Sequence, residues 1–207
     1  MTPGTLITLE GIDGAGKTTL ADGLLGALRA RGVAAQLLRE PGGVPAAEAI
    51  RSLVKDPDLE IGARAEALLY AAARAQLVQE RLMPLLDGGA LVLLDRFVDS
   101  SLVYQGAGRG LGVEAVAAVN RFATGGLSAD RTLLLAIDPA SARERSSRRD
   151  ATPDRIEREG ADFFARLTSA YAALAAAEPA RVRVIDADHS PERVLADALD
   201  AIDDLLG

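Results

Sequence analysis

Gly11-Ile12-Asp13-Gly14-Ala15-Gly16-Lys17-Thr18-Thr19 follows the apolar run Leu6-Ile7-Thr8-Leu9-Glu10 and precedes a helical pattern with Leu20, Leu24 and Leu28 on one face. The order is strand, glycine-rich loop, helix, and the string fits G-x-x-x-x-G-K-[ST] in full. Glycines let the backbone curl until successive N–H groups point at a phosphate. The helix beginning near Lys17 adds its positive N-terminal dipole. Lys17 is placed to reach the β- and γ-phosphates of a bound nucleotide, and Thr18 to offer its hydroxyl to Mg²⁺. The whole stretch from Gly11 to Thr19 is therefore the expected nucleotide cradle.

Outward from this loop, the rest of the chain alternates in the same sense. Leu6 to Leu9 is apolar on both faces, as a central parallel strand requires. A helix follows to about Arg31, with Gly32 as its stop. A second strand ends at Gln36 to Leu38, and Arg39-Glu40-Pro41-Gly42-Gly43 forms a turn-rich loop. Ala46 to Val54 reads as helix, then Ala63 to Leu86 as a long one that Pro84 kinks or ends. Leu91 to Leu94 is a third strand closed by Asp95-Arg96. Gln105 to Gly110 breaks the next helical stretch, and Val113 to Phe122 is helical again. Thr132 to Ile137 is a fourth strand, and Asp138-Pro139 supplies an N-cap and first residue for a helix. Phe163 to Ala177 is helical and Val182 to Ile185 a fifth strand. Ser190-Pro191 opens a last helix, with Val194, Ala198, Ile202 and Leu205 on one face. Strands alternating with helices predict an α/β fold: one five-stranded parallel sheet covered by helices on both faces. The charged stretch from Arg143 to Glu159 has few apolar anchors and reads as a short lid.

Composition narrows the class. The chain of 207 residues suits a single domain, and at 49% hydrophobic it can build a core. With no cysteine, disulfides and thiolate metal sites are excluded. No basic leader or membrane-length apolar run appears, so a cytoplasmic location is expected, with no membrane partner. A net charge of −7 argues against nucleic acid as a partner. Only Lys17 and Lys55 are lysines among 23 basic residues, so an arginine carries weight only through its position. Lys17 is expected to be the one lysine near the phosphates. His189, the single histidine, precedes a helix N-cap and reads as a surface residue.

The loop alone does not separate kinases, switch GTPases and motors. No N-K-x-D string is present to read guanine. Further stretches decide: Arg39-Glu40-Pro41-Gly42-Gly43, Tyr70-Ala71-Ala72-Ala73-Arg74-Ala75-Gln76, Asp95-Arg96-Phe97, Ser100-Ser101-Leu102-Val103-Tyr104-Gln105-Gly106 and Asp154-Arg155-Ile156-Glu157. Together with the loop, and in this order, they resemble the thymidylate kinase family nearly end to end. Phe97 stands where the family often has Tyr, and Tyr70 where this bacterial branch usually has Phe; both keep an aromatic ring.

Several residues can be read both ways. Asp95, at the end of a buried strand, suits a Mg²⁺-water ligand, or caps the next helix. Tyr70 and Arg74 share a helix face at four-residue spacing; spacing alone makes them a core aromatic and a surface arginine. The resemblance implies more. It places Arg96 and Arg51 on the acceptor's 5′-phosphate, and a guanidinium can grip phosphate oxygens bidentately. It places Asp13 on the 3′-hydroxyl and Glu40 near acceptor and metal. Tyr70 would stack on the pyrimidine and Arg74 donate to the thymine O4. Ser101 and Gln105 would line the base edge and ribose, and Tyr104 crowd the sugar 2′ position. Gly14 occupies the place where another branch carries an arginine, so a lid arginine is expected to supply that charge: Arg149, then Arg148, with Arg155 bracing the lid. The implied function is ATP- and Mg²⁺-dependent phosphorylation of dTMP to dTDP by a homodimer. A kinase for another nucleotide or deoxynucleoside, and a non-catalytic nucleotide switch, remain the rivals.

Overall fold

A computed structural model describes residues 4–147 and 154–206. Five strands, β1 (Thr5–Glu10), β2 (Ala35–Arg39), β3 (Leu91–Asp95), β4 (Arg131–Ala136) and β5 (Val182–Asp186), form one sheet in the order β2-β3-β1-β4-β5. Every pairing is parallel, with Leu6 opposite Val92 and Thr8 opposite Thr132. Period-two alternation sorts the central strands onto two layers. Ile7, Leu9, Leu93, Leu133 and Leu135 share a core with Leu24 and Leu28 of α1 (Lys17–Ala30) and Val194 and Ala198 of α9 (Pro191–Asp200). Leu6, Val92 and Leu94 share another with Ala73 and Leu77 of α3 (Ala63–Leu77) and Leu86 of α4 (Met83–Asp87). The parallel sheet covered on both faces is thus as expected.

The remaining helices are α2 (Pro45–Lys55), α5 (Val98–Ser101), α6 (Val113–Thr124), α7 (Pro139–Ser147) and α8 (Ala161–Ala177). Three expected elements differ in form. The long helix from Ala63 is interrupted by a π-helical turn, Val78–Leu82, one turn before Pro84. Proline has no N–H for the carbonyl four residues back and its ring collides with it; the wider π turn relieves both. Gln105 to Gly108 does not break a helix: Leu102–Gly108 is a second π-helical stretch continuing α5, and the chain turns only after it. The last helix ends at Asp200, and Ile202 and Leu205 join its apolar face from the following turn. Both expected caps form. The Asp138 carboxylate accepts from the N–H of Ala140 at 2.9 Å and Ser141 at 3.2 Å, and the Ser190 hydroxyl from Arg193 at 3.4 Å. Of the lid, α7 and residues 154–159 are described; Arg148 and Arg149 lie outside the described residues.

Candidate active site

The loop between β1 and α1 opens one wall of a cavity of about 450 Å³. Gly16, the α1 N-cap, has φ 97° and supplies no side-chain cap to the first-turn N–H groups. Gly14 has φ 86°, and a Cβ there would meet the Ala142 carbonyl at 2.1 Å: the loop is pressed against α7. The Lys17 ammonium donates back to the carbonyls of Gly11 at 3.0 Å and Ile12 at 2.9 Å. Burial, with Arg96 nearby, lowers its pKa to about 8. Thr18 and Thr19 are exposed beside it.

Of the expected site residues, Asp13, Gly14, Gly16, Lys17, Thr18 and Thr19 line this cavity from the loop. Glu40, Arg51, Tyr70, Arg74, Asp95, Arg96, Ser101, Tyr104 and Gln105 line it from the other elements. Gly11, Ile12 and Ala15 shape the loop from below; a Cβ on Gly11 would meet the Leu135 carbonyl at 2.7 Å. Lys17 is not the only lysine here. Lys55, at the end of α2, lines the same cavity and pairs with Asp154 at 2.5 Å. A helix C-terminus gave no sequence cue that this lysine faces inward.

Arg96 adopts φ 69°, left-handed for a side chain that disfavours it. Its NH1 donates to the Gly11 carbonyl at 3.1 Å and to Ser100 Oγ at 3.0 Å. NH2 donates to Asp13 Oδ1 at 2.8 Å and to the Tyr104 hydroxyl, which itself donates to Asp13 Oδ2 at 3.0 Å. Burial works to raise the Asp13 carboxyl, but Arg96 and Lys17 outweigh it and hold it well below the usual carboxylate range. Asp95 does not cap α5. That duty falls to Glu10, which accepts from the N–H of Phe97 at 2.8 Å and Ser100 at 3.2 Å. Asp95 Oδ1 is buried at the cavity without a hydrogen-bond partner.

Arg74 is not a surface arginine; it is 2% exposed. Its Nε donates to Glu40 at 2.8 Å, NH1 to Ser101 at 2.9 Å and to Asn120, and NH2 to the Phe97 carbonyl at 2.8 Å, and NH2 also lies 2.6 Å from the Glu40 carboxylate in an ion pair. Four of its five N–H groups thus donate to protein acceptors. Burial raises the Glu40 carboxyl to about 7 against the pull of Arg74, and Glu40 Oε1 is left unpartnered. Arg51 donates to the Pro41 carbonyl at 2.9 Å from the cavity wall. Gln105 donates to Glu66 at 2.9 Å, and Glu66 also takes Arg155 at 2.6 Å and Arg109 Nε at 3.2 Å. Arg155 is thus joined to Glu66 of α3 and to the Val54 carbonyl of α2. Arg145 lines the cavity and donates to the Ala187 carbonyl. His189 is exposed, 3.5 Å from Asp186.

The sequence pattern assigns Asn120, Glu66 and Glu10 no role in the site. Asn120 offered a signal: Val116, Asn120 and Thr124 share one buried helix face, where a lone amide needs a partner. The sequence model of the thymidylate kinase family matches residues 9–198. A thymidylate kinase of Deinococcus radiodurans is 46% identical over 202 residues, covering 98% of each chain. One of Halalkalibacterium halodurans is 44% identical, covering 96% of each, and one of Pelotomaculum thermopropionicum 46% identical, covering 98% of this chain and 94% of its own. With the phosphate loop, the parallel sheet and the cavity in place, this chain belongs to the thymidylate kinase family.

Proposed function

We propose that this chain, as one domain over residues 1–207, transfers the γ-phosphoryl group of ATP to the 5′-phosphate of dTMP, giving dTDP and ADP in nucleotide biosynthesis. The observation that carries the reading is the single cavity shared by the phosphate loop and the acceptor-side residues of a chain matching the family over residues 9–198. In-line phosphoryl transfer needs positioning and charge neutralisation more than covalent help. Lys17 and the first-turn N–H groups of α1 hold the donor phosphates. Arg96 and Arg51 bind the acceptor phosphate. Arg96 NH2 lies 2.8 Å from Asp13, so a phosphate on one and a 3′-hydroxyl on the other sit side by side. Tyr70 stacks on the base, with Arg74, Ser101 and Gln105 along its edge and Glu40 behind Arg74. Tyr104, its hydroxyl tied to Asp13, crowds the 2′ position.

Mg²⁺ fits the donor set: the unpartnered Asp95 Oδ1 and the exposed Thr18 hydroxyl face one cavity. Among the described residues no cluster of three or more His, Cys, Asp or Glu side chains is available to hold a metal. Magnesium, which keeps its waters and takes one carboxylate plus substrate phosphates, suits so sparse a set. When bound it neutralises charge on the β- and γ-phosphate oxygens. The further cation we assign to the lid, Arg149 before Arg148, with Arg155 as brace. We also assign a cytoplasmic homodimer. Among the described residues no helix is long and apolar enough to cross a membrane. Phe122 of α6 is 92% exposed and Leu68 of α3 58%, on helices that pack together.

The test is ADP release from ATP and Mg²⁺ against a panel of nucleoside monophosphates. Turnover should be acceptor-dependent and fastest with dTMP. Faster turnover with another monophosphate overturns the acceptor assignment. Nucleotide binding without acceptor-dependent release makes the protein a switch.

A further inference from the structure

Tyr171 lies on α8, 75 positions after Arg96 in the chain, and lines no part of the cavity. Its hydroxyl is buried and donates to Glu10 Oε2 at 2.8 Å. The same oxygen accepts from Ser100 Oγ at 2.6 Å, and Ser100 Oγ in turn accepts from Arg96 NH1 at 3.0 Å. Glu10 Oε1 meanwhile holds the backbone N–H groups of Phe97 and Ser100, just after the left-handed Arg96. A strained backbone persists only where its surroundings over-determine it. Here the over-determination is a carboxylate with four donors, one of them brought in from α8. We propose that Tyr171 is a positioning residue for Arg96, acting through Glu10 and Ser100. It holds the carboxylate that fixes both the Arg96 backbone turn and the direction of its guanidinium. This rests on the reading of Arg96 as the acceptor-phosphate ligand. The competing account is a buried tyrosine that only satisfies its own hydroxyl.

The experiment is a double-mutant cycle on the full-length chain, Tyr171→Phe with Arg96→Lys, read as dTMP-dependent ADP release. Tyr171→Phe keeps the packed ring. The expected result is a fall of about tenfold in kcat with the KM for ATP unchanged. In the Arg96→Lys background the same change should cost less than about twofold, because its target is gone. Equal penalties in both backgrounds overturn the positioning role. Wild-type turnover in Arg96→Lys alone overturns instead the reading of Arg96, so the two failures are distinct. Thermal unfolding checks that each variant folds. Ser100→Ala, which cuts the chain one link nearer Arg96, is judged by the same two outcomes should Tyr171→Phe fail to fold.

Discussion

At the scale of the residue, charge held out of water decides what each group can do. Lys17 is the clearest case. Its pKa is lowered to about 8, so its charge is present below that pH and lost as pH rises through it. The free enzyme's kcat/KM for ATP should therefore fall above about pH 8, while kcat at saturation holds to higher pH because bound phosphates favour the ammonium. A pH profile of both constants checks this, and Lys17→Ala should reduce turnover to background. Arg74 behaves differently, because it is a structural ion as well as a site residue. Arg74→Ala leaves the Glu40 charge, Ser101, Asn120 and the Phe97 carbonyl without their donor. Breaking one side of a buried pair costs about 3–5 kcal/mol, so chemical denaturation should show a loss of that order. The loss of kcat/KM for dTMP should exceed any change in ATP affinity. The loop lysine was legible because its role is local: strand, glycines and helix all lie within a few residues. Asn120 and Glu66 were not, because the groups that make them matter, Arg74, Gln105 and Arg155, lie far along the chain and meet them only in the fold.

At the scale of the element, the phosphate loop is set by what it touches. Gly14 and Gly16 share a positive φ, but only Gly14 faces a wall, the Ala142 carbonyl at 2.1 Å from a built Cβ; Gly16 has nothing within 4 Å. Gly16→Ala should cost about 1–2 kcal/mol of left-handed strain. Gly14→Ala must in addition push α7 away, so its unfolding midpoint should be the lower of the two and its ATP binding weaker. Melting curves and nucleotide titration of both variants make the comparison. Element type and order were legible from periodicity and caps, as Asp138 and Ser190 illustrate. The π-helical turns were not: Val78–Leu82 and Leu102–Gly108 are so short that apolar spacing has no second repeat in which to show the wider period. The stretch from Gln105 to Gly110 read as a break because Gly106, Gly108 and Gly110 looked like punctuation. The structure uses Gly108 otherwise, for contact with Leu167 and Phe163, where a Cβ would come within 2.8 Å.

At the scale of the whole molecule, alternation of strand and helix announced a parallel sheet, but no local pattern says which strands are neighbours. The same limit applies to association. Phe122 reads as the last apolar residue of an amphipathic helix, yet it is 92% exposed, whereas Val116 on the same helix is buried. If α6 and α3 form the dimer face, Phe122→Glu should convert a dimer into a monomer in sedimentation at micromolar concentration, with little change in unfolding of the monomer itself. A dimer that survives the charge places the interface elsewhere. The position of β1 has one more consequence, for synthesis. β1 lies in the middle of the sheet, hydrogen-bonded to Leu91–Asp95 on one side and Arg131–Leu134 on the other. During translation the phosphate loop therefore emerges before β3 and β4, the two neighbours of the strand that carries it. Synthesis must run through Leu134 before β1 can have both neighbours. Until then that apolar strand lacks a native neighbour, and unpaired strand edges make incompletely folded chains prone to association.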